Sequence, residues 1–511
     1  MKSFINILIC LLTCISVHGQ QTFNKNYALD TNSLAFGLIE TEDGYLVTCD
    51  VVDSIHTNFI IKLNKQGEIE SLNEYSNSLS IEGHYYRTFR RHRDDLILDV
   101  SFSINEENKY ENHLMWFSLD GELVEFTSEQ SPYYYDDPTS VWDIPDAYRT
   151  FGLTTDDHYN IYTTAYLKHP WVKVSKYDKY GSEIWSRQFS SNFGADQPQI
   201  GSISYQDNLI YFGKLELSQN FENHNSIIIL DSDDGSLVDS IPISENRPVQ
   251  DIFIHSNSDI FLPMTYCDNG CYSSILAIDS TGTEKWQLTY GDGTFSVFDA
   301  CYKIIPQKDG TFVSIGDFNA IATDNIELNG NWNNDVVLFK FNDQGEEIWN
   351  RKFRLIQSPE DDHVVADIIQ TSDNGFAFCG YTANLDPESE SFELPFQRMW
   401  LVKTDPCGCL IPGCDPDCNA YPMAPVAEDD YLILGPSPTT GSLNVYLKPL
   451  EDPNLELLVH DMTGRVIHSI SQAQTDITYM MDLSNQAEGV YLVTLRSEET
   501  VLQMEKVVVS K

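Results

Sequence analysis

The sequence predicts an all-β fold whose larger part, residues 20–418, is a seven-bladed β-propeller, and three observations lead there. The first is a period. An apolar-alternating strand that runs into a polar turn and a glycine recurs seven times, at residues 59–67, 114–121 and 172–181 and then in copies ending at Gly235, Gly282, Gly345 and Gly408. Those glycines stand 54, 60, 54, 47, 63 and 63 residues apart, the elastic spacing of one supersecondary unit per repeat with insertions confined to loops. The second is a turn upstream of each glycine, as in Glu42-Asp43-Gly44, Lys308-Asp309-Gly310 and Asp373-Asn374-Gly375, each followed by alternating apolar residues. Asp, Asn and Gly tolerate the positive φ of tight hairpins, so each repeat holds two hairpins, a four-stranded sheet. The third is a packing requirement: seven such sheets cannot bury their faces separately, and radial packing around an axis protects their edges.

The seventh repeat ends at Cys407-Gly408-Cys409-Leu410 with no outer strand after it. Residues 21–27 have a pattern that resembles Trp349-Asn350-Arg351-Lys352-Phe353, so they are expected to pair with the blade containing Trp400 and to close the ring. Trp185, Trp286 and Trp349 each lie four residues beyond a turn glycine. This resembles the blade signature of quinoprotein-like bacterial propellers, in which such a Trp packs between blades. Ala277-Ile278-Asp279-Ser280-Thr281-Gly282 with Trp286 is the nearest copy. A pyrroloquinoline quinone enzyme of that family would have eight blades and adjacent cysteines, which this chain lacks, so no cofactor is expected.

The last eighty-odd residues have a different character. Gly435-Pro436-Ser437-Pro438-Thr439-Thr440-Gly441 opens the segment, followed by the strand Leu443-Asn444-Val445-Tyr446-Leu447 and the turn Asp461-Met462-Thr463-Gly464-Arg465. Gly489-Val490-Tyr491-Leu492 and Lys506-Val507-Val508-Val509 close it. In that order these elements resemble the type A C-terminal sorting domain of the type IX (Por) secretion system of Bacteroidetes-type bacteria, with Ser437 where the family usually carries Asn. The resemblance implies a small β-sandwich over residues 431–511, reached through a linker at 419–430. It also implies engagement of the type IX machinery, removal of the domain at the cell surface, and a product that is secreted or displayed there.

The amino terminus fits the same route. Lys2, an apolar run over residues 4–15 and Gly19 read as a signal peptide spanning residues 1–19. A lipoprotein reading at Cys14 is disfavoured by Thr13 before it. No later segment has the eighteen or so consecutive apolar residues of a membrane span. Acidic residues outnumber basic ones 77 to 31, a formal net charge of −46, which disfavours nucleic acid and anionic membrane surfaces as partners. Arg87, Arg90, Arg91, His92 and Arg93 form the one basic cluster, read as local charge balance with an anion site as the alternative.

Nine cysteines follow the signal peptide. For an exported chain disulfides are favoured over zinc. Cys409 with Cys414 and Cys407 with Cys418 are expected as a nested pair at the propeller's exit, and Cys267 with Cys271 bracket a short loop. Cys49, Cys301 and Cys379 are expected as small buried hydrophobes.

For function, the turns within the two hairpins of every blade belong to one face of a propeller, and the remaining connections belong to the other. The first class is short here. The second includes the long segments 127–149, 318–335 and 383–397, and long connections are where binding concentrates. Tyr133, Tyr134, Tyr135, Trp142 and Asp143 lie in one of them and Trp332 in another. Aromatic plates beside Asn and Asp suit a sugar ring. The plainer reading is that these aromatics anchor their own loops. Glu360-Asp361-Asp362-His363 is expected to be a solvated turn before a strand, and Asp231-Ser232-Asp233-Asp234-Gly235 lacks the closing acidic residue of a calcium loop. No phosphate loop, zinc-protease or Gly-x-Ser-x-Gly motif occurs. The chain therefore reads as a propeller that binds an extracellular polymer or protein. The alternative is a polysaccharide hydrolase or lyase using paired carboxylates on the same face.

Overall fold

The computed structural model describes residues 22–27, 29, 32–52, 56–75, 80–84, 89–104, 109–134, 149–166, 171–190, 200–217, 223–243, 249–267, 271–290, 300–319, 334–353, 361–384, 396–411, 414, 431–435, 437, 439, 441–448, 450, 452, 454–475, 477–497 and 500–510. Seven antiparallel sheets follow one another along the chain as blades 1 to 7, their innermost strands first. Blades 1, 3, 4, 5 and 6 run in simple chain order. In blade 2 the inner position is shared by Ser80–His84 and Arg90–Arg91, which both pair with Ile97–Ile104. Blade 7 takes its three inner strands from Asp361–Gln370, Phe376–Asn384 and Phe396–Thr404, and its outer strand from Phe23–Tyr27 at the other end of the chain. Asn26 lies opposite Trp400, and the Trp400 indole donates to Asn24 Oδ1 at 2.6 Å. The expected ring closure is therefore present.

One local device shapes the second hairpin of six of the seven blades. The side chain of the residue three before the glycine accepts from the backbone N–H groups two and four residues on. Asn64 does so for Gln66 and Glu68, Ser118 for Asp120 and Glu122, and Asp178 for Tyr180 and Ser182. Asp279, Asn342 and Asp405 repeat the pattern. Blade 4 carries one more residue in this turn and divides the task between Asp231 and Asp234. The glycine itself sits at φ between 69° and 84° in all seven blades, a conformation that costs an L side chain about 1–2 kcal/mol.

Those glycines also make the joints between blades. A Cβ on Gly235 would lie 2.8 Å from the Trp185 ring of the preceding blade, one on Gly345 2.5 Å from Trp286, and one on Gly408 3.0 Å from Trp349. The joint continues around the ring with other side chains: Ile60 and Asn73 beneath Gly121, Trp116 and Thr127 beneath Gly181, and Ile241 beneath Gly282. At the closure Phe23 lies beneath Gly67, so Phe23 occupies the place of Trp349. The indoles of Trp185 and Trp286 donate to the turn carbonyls of Ser232 and Asp343 at 3.1 and 2.9 Å. Two residues after the ring a cation stacks on it, Arg187 on Trp185, Arg351 on Trp349 and Lys25 on Phe23.

Cys409 and Cys414 form a disulfide as expected. Cys407 is also disulfide-bonded, while Cys418 lies outside the described residues. Cys267 and Cys271 are direct partners in strand register. Cys49, Cys301 and Cys379 are buried thiols outside any disulfide, and burial pushes the Cys49 and Cys379 thiols up. Asp405, which caps the turn holding Cys407 and Cys409, has its carboxyl pushed up to about 6 by burial, against the pull of the Cys409 and Cys407 N–H groups.

The C-terminal unit is a sandwich of two sheets. Leu432–Gly435, Ser442–Leu447 and Ile477–Asp482 make one, and Val466–Ser471, Leu455–Asp461, Gly489–Ser497 and Thr500–Val509 the other. Leu443, Val445, Leu457, Val459, Tyr479 and Val493 fill the space between them. Asp461 accepts from Thr463 and Arg465 N–H, the propeller's own turn chemistry reused. Ser437 Oγ accepts from Val508 N–H at 3.1 Å, so serine supplies an acceptor at the position where Asn is usual. A two-residue parallel contact, Lys352 opposite Ile477 and Phe353 opposite Thr478, joins the first sheet to the outer edge of blade 6.

These contacts set three expectations. Gly345→Ala meets both the left-handed φ and the Trp286 ring and should lower stability by about 2–4 kcal/mol. Gly310→Ala, at φ 82° with nothing within 4 Å of the new methyl, should cost only about 1 kcal/mol; urea denaturation of the pair separates joint from turn. Deleting residues 22–27 should expose the edge of Phe396–Thr404 and give concentration-dependent association in size-exclusion chromatography. For Asp405, a raised folded pKa means its stability contribution is complete below about pH 4 and is lost as pH rises through about 6, on the order of 2–3 kcal/mol in all. Asp405→Asn keeps the acceptor that Asn64 and Asn342 use, so the stability of the variant relative to the parent should grow from pH 4 to pH 7 in urea titrations.

Candidate functional site

The strand order divides the propeller into two unlike faces. On one lie the first-hairpin turns, such as those after Glu40, Thr155, Pro306 and Gln370, together with the glycine turns described above. From the other leave the longer connections, for example between Tyr134 and Arg149, between Asn319 and Asn334 and between Asn384 and Phe396. Of the expected ligand-binding residues, Tyr133 and Tyr134 end the outer strand of blade 2, Leu123–Tyr134. Tyr135, Trp142, Asp143 and Trp332 lie outside the described residues.

The basic cluster divides between two roles. Arg93 pairs with Glu125, donates to the Lys179 carbonyl at 2.7 Å and lies over the Tyr180 ring at 4.7 Å, which is local charge balance at a blade joint. His92 is 5% exposed. Its Nδ1 accepts from the Trp116 indole at 3.0 Å, and its Nε2 lies 2.9 Å from the Tyr159 carbonyl. That pairing places the proton on Nε2 and requires a neutral ring, and burial lowers its pKa. Arg91 donates to the Glu40 carbonyl at 2.8 Å. Arg90 is different: its Nε is buried and has no hydrogen-bond partner. Arg87 lies outside the described residues.

Arg90 and Arg91 line a cavity of about 590 Å³. Its walls come from Leu38–Glu40 of blade 1, from blade 2, from Thr155 of blade 3, from Lys303 and Lys308 of blade 6 and from Ile369–Ser372 of blade 7. Inner strands of five blades meet only on the ring axis, so the cavity is the mouth of the central channel on the short-turn face. Asp367, 2% exposed, organises its floor: Oδ1 accepts from Lys303 Nζ at 2.6 Å and Oδ2 from Leu38 N–H at 3.2 Å. Glu40 is engaged by Lys65 and by Ser372. The sequence points to the face of the long connections ahead of this central channel. The Arg90-Arg91 pair in so acidic a chain was the signal for it, but only the ring brings blades 1, 2, 6 and 7 together around it.

The acidic motifs are placed otherwise than expected or are spent on structure. Residues 361–363 do not form a solvated turn. They open the inner strand Asp361–Gln370, where His363 is fully buried with its ring edge-on to Trp400 at 5.2 Å; strand pairing with Thr382–Asn384 draws the segment into the blade. Asp231 and Asp234 each hold a backbone N–H group of their own turn. Among the described residues no group of three or more His, Cys, Asp or Glu is placed to hold a metal ion. Asp50 and Asp99, on neighbouring blades and 4% and 1% exposed, both act on Tyr75, whose hydroxyl is pushed up chiefly by burial and then by these carboxylates. No helix among the described residues is long and apolar enough to cross a membrane.

Residues 434–510 match the family described as the secretion system C-terminal sorting domain. No curated protein sequence matches the chain. Similar solved structures include a variant of the Synechocystis apocarotenoid oxygenase, at 10% identity over 60% of this chain and 70% of that one with a TM-score of 0.37. A member of the DUF4221 family from Bacteroides vulgatus is similar at 11% identity over 63% of this chain and 94% of that one, with a TM-score of 0.34. At such scores the architecture rests on the strand pairing described above. The chain is thus a seven-bladed propeller with a type IX secretion C-terminal sorting domain, which engages that machinery and directs the protein to secretion or display on the outer surface.

Proposed function

We propose that the protein is an extracellular binding propeller that recognises a polymer, a glycan foremost, or a protein through the face carrying its long connections. The observation that carries this reading is the asymmetry of the two faces. On the short-turn side the turn side chains are used to hold the turns themselves and the glycines to join the blades. The longer connections leave from the opposite side, after Tyr134 and after Asn319, and the sequence there carries Tyr133, Tyr134, Tyr135, Trp142 and Asp143 in one and Trp332 in the other. The sorting domain supports an extracellular ligand. A hydrolase or lyase is the second reading, supported by the buried carboxylates Asp50 and Asp99 on adjacent blades.

A glycan array probed with residues 20–418 tests the proposal. Binding by the parent with at least tenfold loss in Trp142→Ala is the expected result, the size of one aromatic stacking contact. Binding unchanged in Trp142→Ala would remove that loop from the site. Shortening of the bound glycan on incubation would select the enzymatic reading.

A further inference from the structure

We propose that the mouth of the central channel on the short-turn face is a second binding site, built for a small hydroxylated anion of the sugar-acid class. The charge of the cavity runs against that of the chain. Within a protein of net charge −46, four cationic side chains, Arg90, Arg91, Lys303 and Lys308, converge there against two carboxylates, Glu40 and Asp367. Both carboxylates are already committed, Asp367 to Lys303 and Glu40 to Lys65. Arg90 and Lys308 are left without an acidic partner among the described residues.

The second observation is the orphaned Arg90 Nε, buried with no acceptor. A guanidinium N–H removed from water and left unpaired is costly, by about 1–3 kcal/mol or more for a charged group. Arg90 Nε is one of several such atoms in the described residues, and Arg90 is the one of them that lines this cavity, where a bound ion, water or ligand has room to satisfy it. A carboxylate accepted in bidentate fashion by Arg90 satisfies it, and Lys308, exposed at the tip of its turn, adds a mobile point charge.

The remaining wall sets the class of the ligand. Thr155, Gln370, Ser372 and Asn374 bring hydroxyl and amide groups, while the half-buried Ile369 brings apolar surface, backed by the buried Ile39 and Phe89. Hydroxyl and amide partners beside an apolar plate suit a pyranose ring, and the cations suit an acidic substituent on it. A cavity of about 590 Å³ falls in the range of small-molecule sites and has room for one or two such rings. The source is either a free sugar acid or the end of an acidic polysaccharide, which share this chemistry.

Titration calorimetry on the full chain at low salt, with glucuronate, polygalacturonate and glucose as probes, tests the site. Binding of glucuronate, none of glucose, and at least tenfold weakening in both Arg90→Gln and Lys308→Gln are expected. Lys308→Gln alters an exposed turn residue, so its loss of binding cannot be assigned to misfolding. Polygalacturonate binding tighter per chain end than glucuronate identifies the polymer end as the source, and equal affinity identifies the free acid. Absence of binding by both acids, glucose binding as well as glucuronate, or undiminished affinity in Lys308→Gln and Arg90→Gln would overturn the proposal. Trp142→Ala, in the connection between Tyr134 and Arg149, which does not line this cavity among the described residues, should leave this binding unchanged, so failure here is distinguishable from failure of the loop-face reading.

Discussion

The contact between each turn glycine and a side chain of the blade before it governs the rest of the ring. A flat ring such as Trp286 can lie against the backbone of Gly345 only because no Cβ intervenes, and the turn offers a flat backbone only because φ is positive there. The side-chain acceptor three residues earlier holds the turn in that shape. Turn chemistry, backbone conformation and inter-blade packing are thereby one constraint expressed at three scales. Local and tertiary preferences agree at these positions, which is the condition for a sequence to specify one fold.

This is also why the architecture could be read so fully from the chain. Glycine, its capping Asp, Asn or Ser and the Trp four residues on form a short-range signature, and Phe23 could be matched to Trp349 from pattern alone. Where blades 1, 2 and 4 make the joint with Ile60 and Asn73, Trp116 and Thr127, and Ile241, no single spacing announces it, because the contact is assembled from different strands. The Asp361–His363 stretch misled for a related reason. Its polarity suggests solvent, but His363 gains an aromatic neighbour in Trp400 that lies 37 positions further along the sequence. The channel-mouth cavity was least legible, since its walls come from five blades and its chemistry exists only once the ring is formed.

Charge is handled in two distinct ways. Among the described residues most acidic side chains reach the surface, where they favour dispersion, and exposed Asp side chains double as turn caps. Buried lysines among the described residues are tied to named partners, as Lys403 is to Asp373, and the buried Asp367 is tied to Lys303, which matches the high cost of leaving such groups unpaired. The Arg90 Nε, at the ring axis, is one of several buried polar atoms that make no hydrogen bond.

The closing strand has a consequence for how the chain is built. Asn24 and Trp400 meet across 376 residues of sequence, so the pairing that seals the ring is among the most non-local in the molecule. Contacts of that kind form late, because the entropy of closing so long a loop must be met before they contribute. A chain emerging from its amino end presents the segment Phe23–Tyr27 first and acquires its pairing partner only after six blades have followed. Every shorter intermediate is therefore an open arc with a sticky end, and export in such a state exposes the edge to association with other chains. The C-terminal sandwich follows Phe396–Thr404, the strand on which the ring is sealed, in order of synthesis, so a chain long enough to present its sorting domain is also long enough to have closed its ring.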